Sequence, residues 1–119
     1  MLKKSLRYTT AEFKEVFSNN QQTHGSYFIR LSPSVGLLAN RPDLINKYAV
    51  VVSKKTYKRR VDRNLVRRFF YRYINNQLQQ DDHLPGGIVM LRKGKVDFVE
   101  LIKEKPAEAT EKLDEIYSN

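Results

Sequence analysis

A chain of 119 residues with 40% hydrophobic and 11% aromatic content can fold as one domain around one core, which excludes a disordered basic tail. The absence of Cys excludes a disulfide framework and thiolate metal sites, and no apolar run reaches transmembrane length. The net charge of +9 and a pI near 9.9 narrow the partners to nucleic acid or an anionic membrane surface, and a cytoplasmic protein is expected.

The first seven residues, Met1 to Arg7, are basic and no apolar segment follows them, so no secretory signal is read there. A helix is expected from Thr9 or Thr10, because Thr9 and Glu12 have the spacing of a capping box. Phe13 and Phe17 lie one turn apart and share a face with Val16. The pair reads as core, with a stacking platform for unpaired bases as the functional alternative.

Asn19 to Gly25 is polar and reads as a loop. Ser26 to Leu31 has strand propensity, with Tyr27, Ile29 and Leu31 on one side of the pleat and Phe28 and Arg30 on the other. Ser32-Pro33-Ser34 and Asn40-Arg41-Pro42-Asp43 are breakers, so Val35 to Ala39 is expected as a short edge piece or part of a hairpin connection. Tyr48 to Ser53, centred on Ala49-Val50-Val51-Val52, is the clearest strand.

That strand runs into the most charged part of the chain. Residues 53–72 hold nine Lys or Arg and one Asp, whereas the remaining residues carry 13 positive and 12 negative charges. A helix from about Arg59 places Leu65, Val66, Phe69, Phe70 and Tyr73 on one side and Arg60, Arg63, Asn64, Arg67 and Arg68 on the other. No Glu follows at i+4 to pair with these arginines, so their repulsion is relieved only when a polyanion binds. Arg presents a planar fork of donors suited to phosphate. A membrane-surface helix would need its apolar side exposed, but Phe69, Phe70 and Tyr73 are the natural core contacts, which favours nucleic acid.

Gln77 to His83 ends this helix in a polar stretch, and Pro85-Gly86-Gly87 turns the chain into a buried strand, Ile88 to Leu91. The order strand, basic helix, strand predicts a βαβ unit. From Asp97 onward seven acidic and three basic residues alternate with apolar ones. Pro106 to Tyr117 reads as a closing helix, while Val96 to Ile102 fits strand and helix equally. His24 and His83 sit in separate polar stretches with no nucleophile beside them, and Asp81-Asp82-His83 reads as a solvated turn, not a metal cage. No catalytic residue and no metal ligand is assigned.

The run Val52-Ser53-Lys54-Lys55, then Lys58-Arg59-Arg60, then Arg63-Asn64-Leu65-Val66-Arg67-Arg68, resembles the protein subunit family of bacterial ribonuclease P. That family has a strand ending in Ser/Ala-Lys-Lys, a short basic connection, and Arg-Asn-Arg followed by a basic pair on a helix. Phe13-x-x-x-Phe17 and Leu84-Pro85-Gly86 before an apolar strand extend the resemblance over most of the chain. Two positions depart: Leu65 replaces the third residue of Arg-Asn-Arg, and Tyr71-Arg72 stands where Arg-Glu commonly follows.

The resemblance implies a single α+β domain over residues 1–119, an α-β sandwich of the ribosomal protein S5 domain 2-like type. Its central sheet is mostly antiparallel, with a βαβ crossover carrying the basic helix. It also implies the partners, a catalytic RNA subunit forming a protein–RNA heterodimer and precursor tRNA, with no membrane. The reaction implied is Mg2+-dependent removal of the tRNA 5′ leader, with Mg2+ held mainly through the RNA. Lys54, Lys55, Lys58, Arg59, Arg60, Arg63, Asn64, Arg67 and Arg68 would contact the catalytic RNA. Phe13 and Phe17 would line the leader cleft. The family's third cleft aromatic falls on Leu31 by register, with Tyr27, on the same pleat face by alternation, as its substitute. The competing reading is a ribosomal-type RNA-binding protein of the same fold, in which Phe13 and Phe17 would be wholly buried. A DNA-binding protein reading a major groove is the third, with no dimer or helix-turn-helix pattern to support it.

Overall fold

The computed structural model describes residues 2–80 and 84–117. Its helices are α1 (Thr10–Ser18), α2 (Val35–Asn40), α3 (Arg60–Gln80), α4 (Phe98–Glu104) and α5 (Pro106–Tyr117), and its strands are β1 (Asn20–His24), β2 (Phe28–Pro33), β3 (Tyr48–Val51) and β4 (Gly87–Leu91). The strands form one sheet in the order β1-β2-β4-β3. The β1/β2 and β2/β4 pairs are antiparallel, and β3 runs parallel to β4. The parallel pair is joined by α3, so the expected βαβ unit is present. The Asp81-Asp82-His83 stretch lies outside the described residues.

Side chains alternate across the pleat, and this divides the core into two unequal halves. Phe28, Tyr48, Val50, Val89 and Leu91 face the layer formed by α3, α4 and α5, where Val66, Phe70, Ile74, Phe98, Leu113 and Ile116 complete the larger cluster. Leu31 and Ile88 face the other way, toward Val16 of α1 and Leu44. On that side Ile29, Ala49, Val51 and Met90 are only half-buried. A nine-residue α1 is too short to cover the whole sheet. An apolar strip is therefore left open beside it.

Helix α3 runs 21 residues without Gly or Pro and buries Val66, Phe70, Tyr73 and Ile74 at helical spacing. Helix α1 begins with the expected capping box: the Thr9 hydroxyl accepts from the Glu12 N–H at 3.2 Å and the Thr9 N–H donates to Glu12 Oε1 at 2.9 Å. The turn before β4 needs glycine for a steric reason. A Cβ on Gly86 would lie 2.2 Å from the Lys47 carbonyl oxygen, and Gly87 has φ +148° with its N–H donating to that carbonyl at 3.0 Å.

Several expectations are corrected. Asn19 to Gly25 is largely strand, not loop: β1 takes its backbone partners from β2, and a polar edge strand carries no hydrophobic signal. Val35 to Ala39 is helix, because the Ser34 hydroxyl accepts from the Leu37 N–H at 3.2 Å and caps it. The ambiguous Val96 to Ile102 resolves into a turn and then α4, with Phe98 and Val99 buried under α3. Tyr27 does not share a pleat face with Ile29 and Leu31. It precedes β2, and its ring packs on Phe98 instead, with centroids 5.7 Å apart.

Candidate nucleic-acid interface

Packing the apolar side of α3 on the sheet turns its other side outward. Lys54, Lys55, Lys58, Arg59, Arg60, Arg68 and Arg72 are exposed, and Arg63, Asn64 and Arg67 are half-buried. Among the described residues, none of the nine cations of this stretch is in an ion pair. Two arginines nonetheless have local tasks. Arg63 Nη1 donates to the carbonyls of Tyr57 at 2.9 Å and Lys58 at 3.0 Å, fixing the connection to the helix. Arg67 Nη1 donates to Asn64 Oδ1 at 3.3 Å. The loop is held by Arg63.

The folded chain also anchors this connection to a second basic turn. Tyr57 is buried, its hydroxyl donating toward the Lys95 and Val96 carbonyls at 3.1 and 2.7 Å and accepting from the Val99 N–H at 3.1 Å. Burial raises its pKa above the ordinary tyrosine value, so it stays protonated as a donor. This clamp ties the Lys95 and Val96 backbone to the connection that precedes α3. The only sequence signal for that neighbour was its own charge; the proximity is tertiary.

On the opposite side of the sheet, Phe13 and Phe17 stack with centroids 6.0 Å apart and planes 17° from parallel. Phe17 is 51% exposed and Phe13 half-buried. Leu31 is buried beneath α1, part of the floor and not of the surface. Tyr27 is not brought to this ledge: its hydroxyl donates to Asp97 Oδ2 at 2.5 Å, and Lys95 Nζ stands 5.0 Å from its ring centre. The hydrogen bond to Asp97 and burial push its hydroxyl up to about 12. What the fold supplies instead is the open strip of Ile29, Val51 and Met90. Register places Gln22 and His24 opposite Leu31 and Ile29 on the same pleat side. His24 bonds to Gln22 Oε1 and to Arg92 Nη2, both at 3.0 Å, and so forms a polar rim to the strip. Strand alternation carried the signal for Ile29, but not for β1.

The pose of α1 is fixed by charge. Glu12 is buried and meets Arg41 Nη2 at 2.5 Å and Lys47 Nζ at 2.9 Å. The Thr9 N–H and the Lys47 ammonium, with Arg41, hold its carboxyl down to about 2.

The ribonuclease P family model matches residues 2–113. The solved RNase P protein from Staphylococcus aureus is similar in fold at 17% identity, with a TM-score of 0.61 over 100% of this chain and 97% of that one. No curated protein matches the sequence. With the family matched over nearly its full length and the fold matched end to end, the chain belongs to the ribonuclease P protein family, and its role is that of an accessory protein subunit in tRNA processing.

Proposed function

We propose that the arginine side of α3 binds a catalytic RNA subunit, while the ledge of Phe13 and Phe17 and the strip beside it receive the single-stranded 5′ leader of precursor tRNA. The RNA performs the endonucleolytic hydrolysis in the cytoplasm, and the protein is its accessory partner. The observation that carries this reading is the half-exposed, stacked Phe17 on the sheet side away from α3. A ribosomal-type protein that used only the arginine helix would have no reason to leave that ring in water.

The physical logic is one of placement. Catalytic RNA and substrate are both polyanions, and a compact +9 protein lying between them lowers their repulsion. Arg60, Arg67 and Arg68, with Lys54, Lys55, Lys58 and Arg59, neutralise phosphates, while Arg63 holds the connection in shape and Asn64 accepts from Arg67. Leader bases stack on the aromatic ledge without strong sequence preference, as many substrates require. Among the described residues no group of three or more His, Asp or Glu side chains converges as a metal site. The Mg2+ ions are assigned mainly to the RNA, whose phosphate oxygens suit this hard cation. No helix among the described residues is long and apolar enough to cross a membrane.

The test is leader cleavage by the cognate catalytic RNA at low Mg2+, with and without the protein. Cleavage restored only when the protein is present is the expected result. Binding to the RNA without any effect on cleavage would favour the general RNA-binding reading.

A further inference from the structure

Helix α3 continues for two turns beyond its last arginine, and their outward side is polar. Arg60, Asn64, Arg68, Arg72, Asn76 and Gln80 occupy successive i, i+4 positions, a row that is inclined to the helix axis and so winds around it. The row begins on the open arginine side and ends against α5. There it borders an open hollow of about 340 Å3, with Phe69 and Tyr73 of α3 and Pro106 and Thr110 of α5 in its lining. That volume lies at the small end of the roughly 300–1,000 Å3 of ligand pockets.

The chemistry of the hollow is specific. The Tyr73 hydroxyl is already committed to Asp114 Oδ1 at 2.6 Å and the Thr110 hydroxyl to the Pro106 carbonyl at 3.0 Å, so these residues offer ring and methyl surface. Asn76, Gln77 and Gln80 have no hydrogen-bond partner among the described residues, and neither does the exposed Arg72 guanidinium. Three carboxamides present donors and acceptors together, the pattern that matches the edge of a nucleobase and not a bare phosphate. Arg72 at the mouth suits the phosphate of the same nucleotide.

We infer that this hollow takes one unpaired nucleotide of the RNA bound by α3, its base edge read by Asn76 and Gln80 and its phosphate held by Arg72. The inference rests on α3 being the RNA-binding element, and its position at the end of the arginine row is what joins the two. It would give base preference to a surface that otherwise reads only phosphates.

The experiment uses the full-length protein and the cognate catalytic RNA. Wild type, Asn76→Asp, the double variant N76A/Q80A, and Arg67→Ala are compared by affinity, salt slope, and chemical footprinting of base Watson–Crick edges. Asn76 and Gln80 are exposed, so the variants keep the fold, which thermal melting checks. One base is expected to be protected by wild type and exposed in both pocket variants, with affinity reduced about tenfold and the salt slope unchanged. Loss of neither protection nor affinity in N76A/Q80A, while Arg67→Ala still lowers the slope, overturns the pocket and leaves the arginine reading standing. Insensitivity of all variants overturns both. Protection lost in the pocket variants while Arg67→Ala is silent supports the pocket and removes Arg67 from the interface.

Discussion

Two sets of cations in this molecule have opposite fates. Arg41 and Lys47 close on Glu12, a buried carboxylate, and tie the turn before β3 to the first turn of α1. The cations of residues 54–72 lie on α3 and the connection that leads into it, and they meet no carboxylate among the described residues. The first set is matched within the fold, and breaking it is costly because a buried charge is left alone. The second set raises the energy of the free protein by mutual repulsion, and that cost is recovered only when a polyanion arrives. Paired cations here set architecture; unpaired ones set partners.

The sharpest way to break the comparison is at Glu12. Glu12→Ala is expected to cost about 2 kcal/mol in chemical denaturation, by losing the capping box and the buried centre of the cluster, while Asp43 still meets Arg41. A loss below about 1 kcal/mol would make the cluster a solvated one. The same carboxyl gives an acid signature. Its pKa is about 2 when folded and 4.5 as an ordinary glutamate, so its contribution is complete above about pH 4.5 and fades as pH falls toward 2. Glu12→Gln should flatten that part of the stability profile.

Next in size is Phe17→Ala. About tenfold weaker binding of precursor tRNA to the complex is expected, with mature tRNA unaffected, since stacking is worth roughly 1–3 kcal/mol per base. Equal losses for both substrates would make Phe17 a packing residue only. Arg67→Ala should lower the salt slope of RNA binding by about one unit with stability unchanged. Arg63→Ala should do less to the slope and more to stability, about 1 kcal/mol, because its guanidinium holds the Tyr57 and Lys58 carbonyls. Identical behaviour of the two variants would erase the distinction between a positioning and a contacting arginine. The smallest effect is expected at Arg41→Ala, below about 1 kcal/mol, because Lys47 still reaches Glu12 and Arg41 is partly exposed.

The sequence by itself determined the elements whose signals are local. The Thr9–Glu12 spacing specified the start of α1, the apolar spacing of Val66, Phe70 and Tyr73 specified which side of α3 is buried, and the charge run specified the other side. Pro106 to Tyr117 announced α5 in the same way. These signals are legible because capping, helical period and charge density act between residues close in sequence. Only the tertiary structure decided the rest. It made a strand of Asn20 to His24, since an edge strand is formed by its partner's hydrogen bonds and needs no hydrophobic pattern. It moved Tyr27 to Phe98 and away from Phe13, because pleat alternation holds only inside a paired strand. It tied Lys95 to the connection before α3 through the Tyr57 hydroxyl, and it left Phe17 in water, because the sheet buries Val16 of α1 and not its neighbour. Each of these outcomes depends on contacts between residues far apart in the chain, and local periodicity carries no record of them.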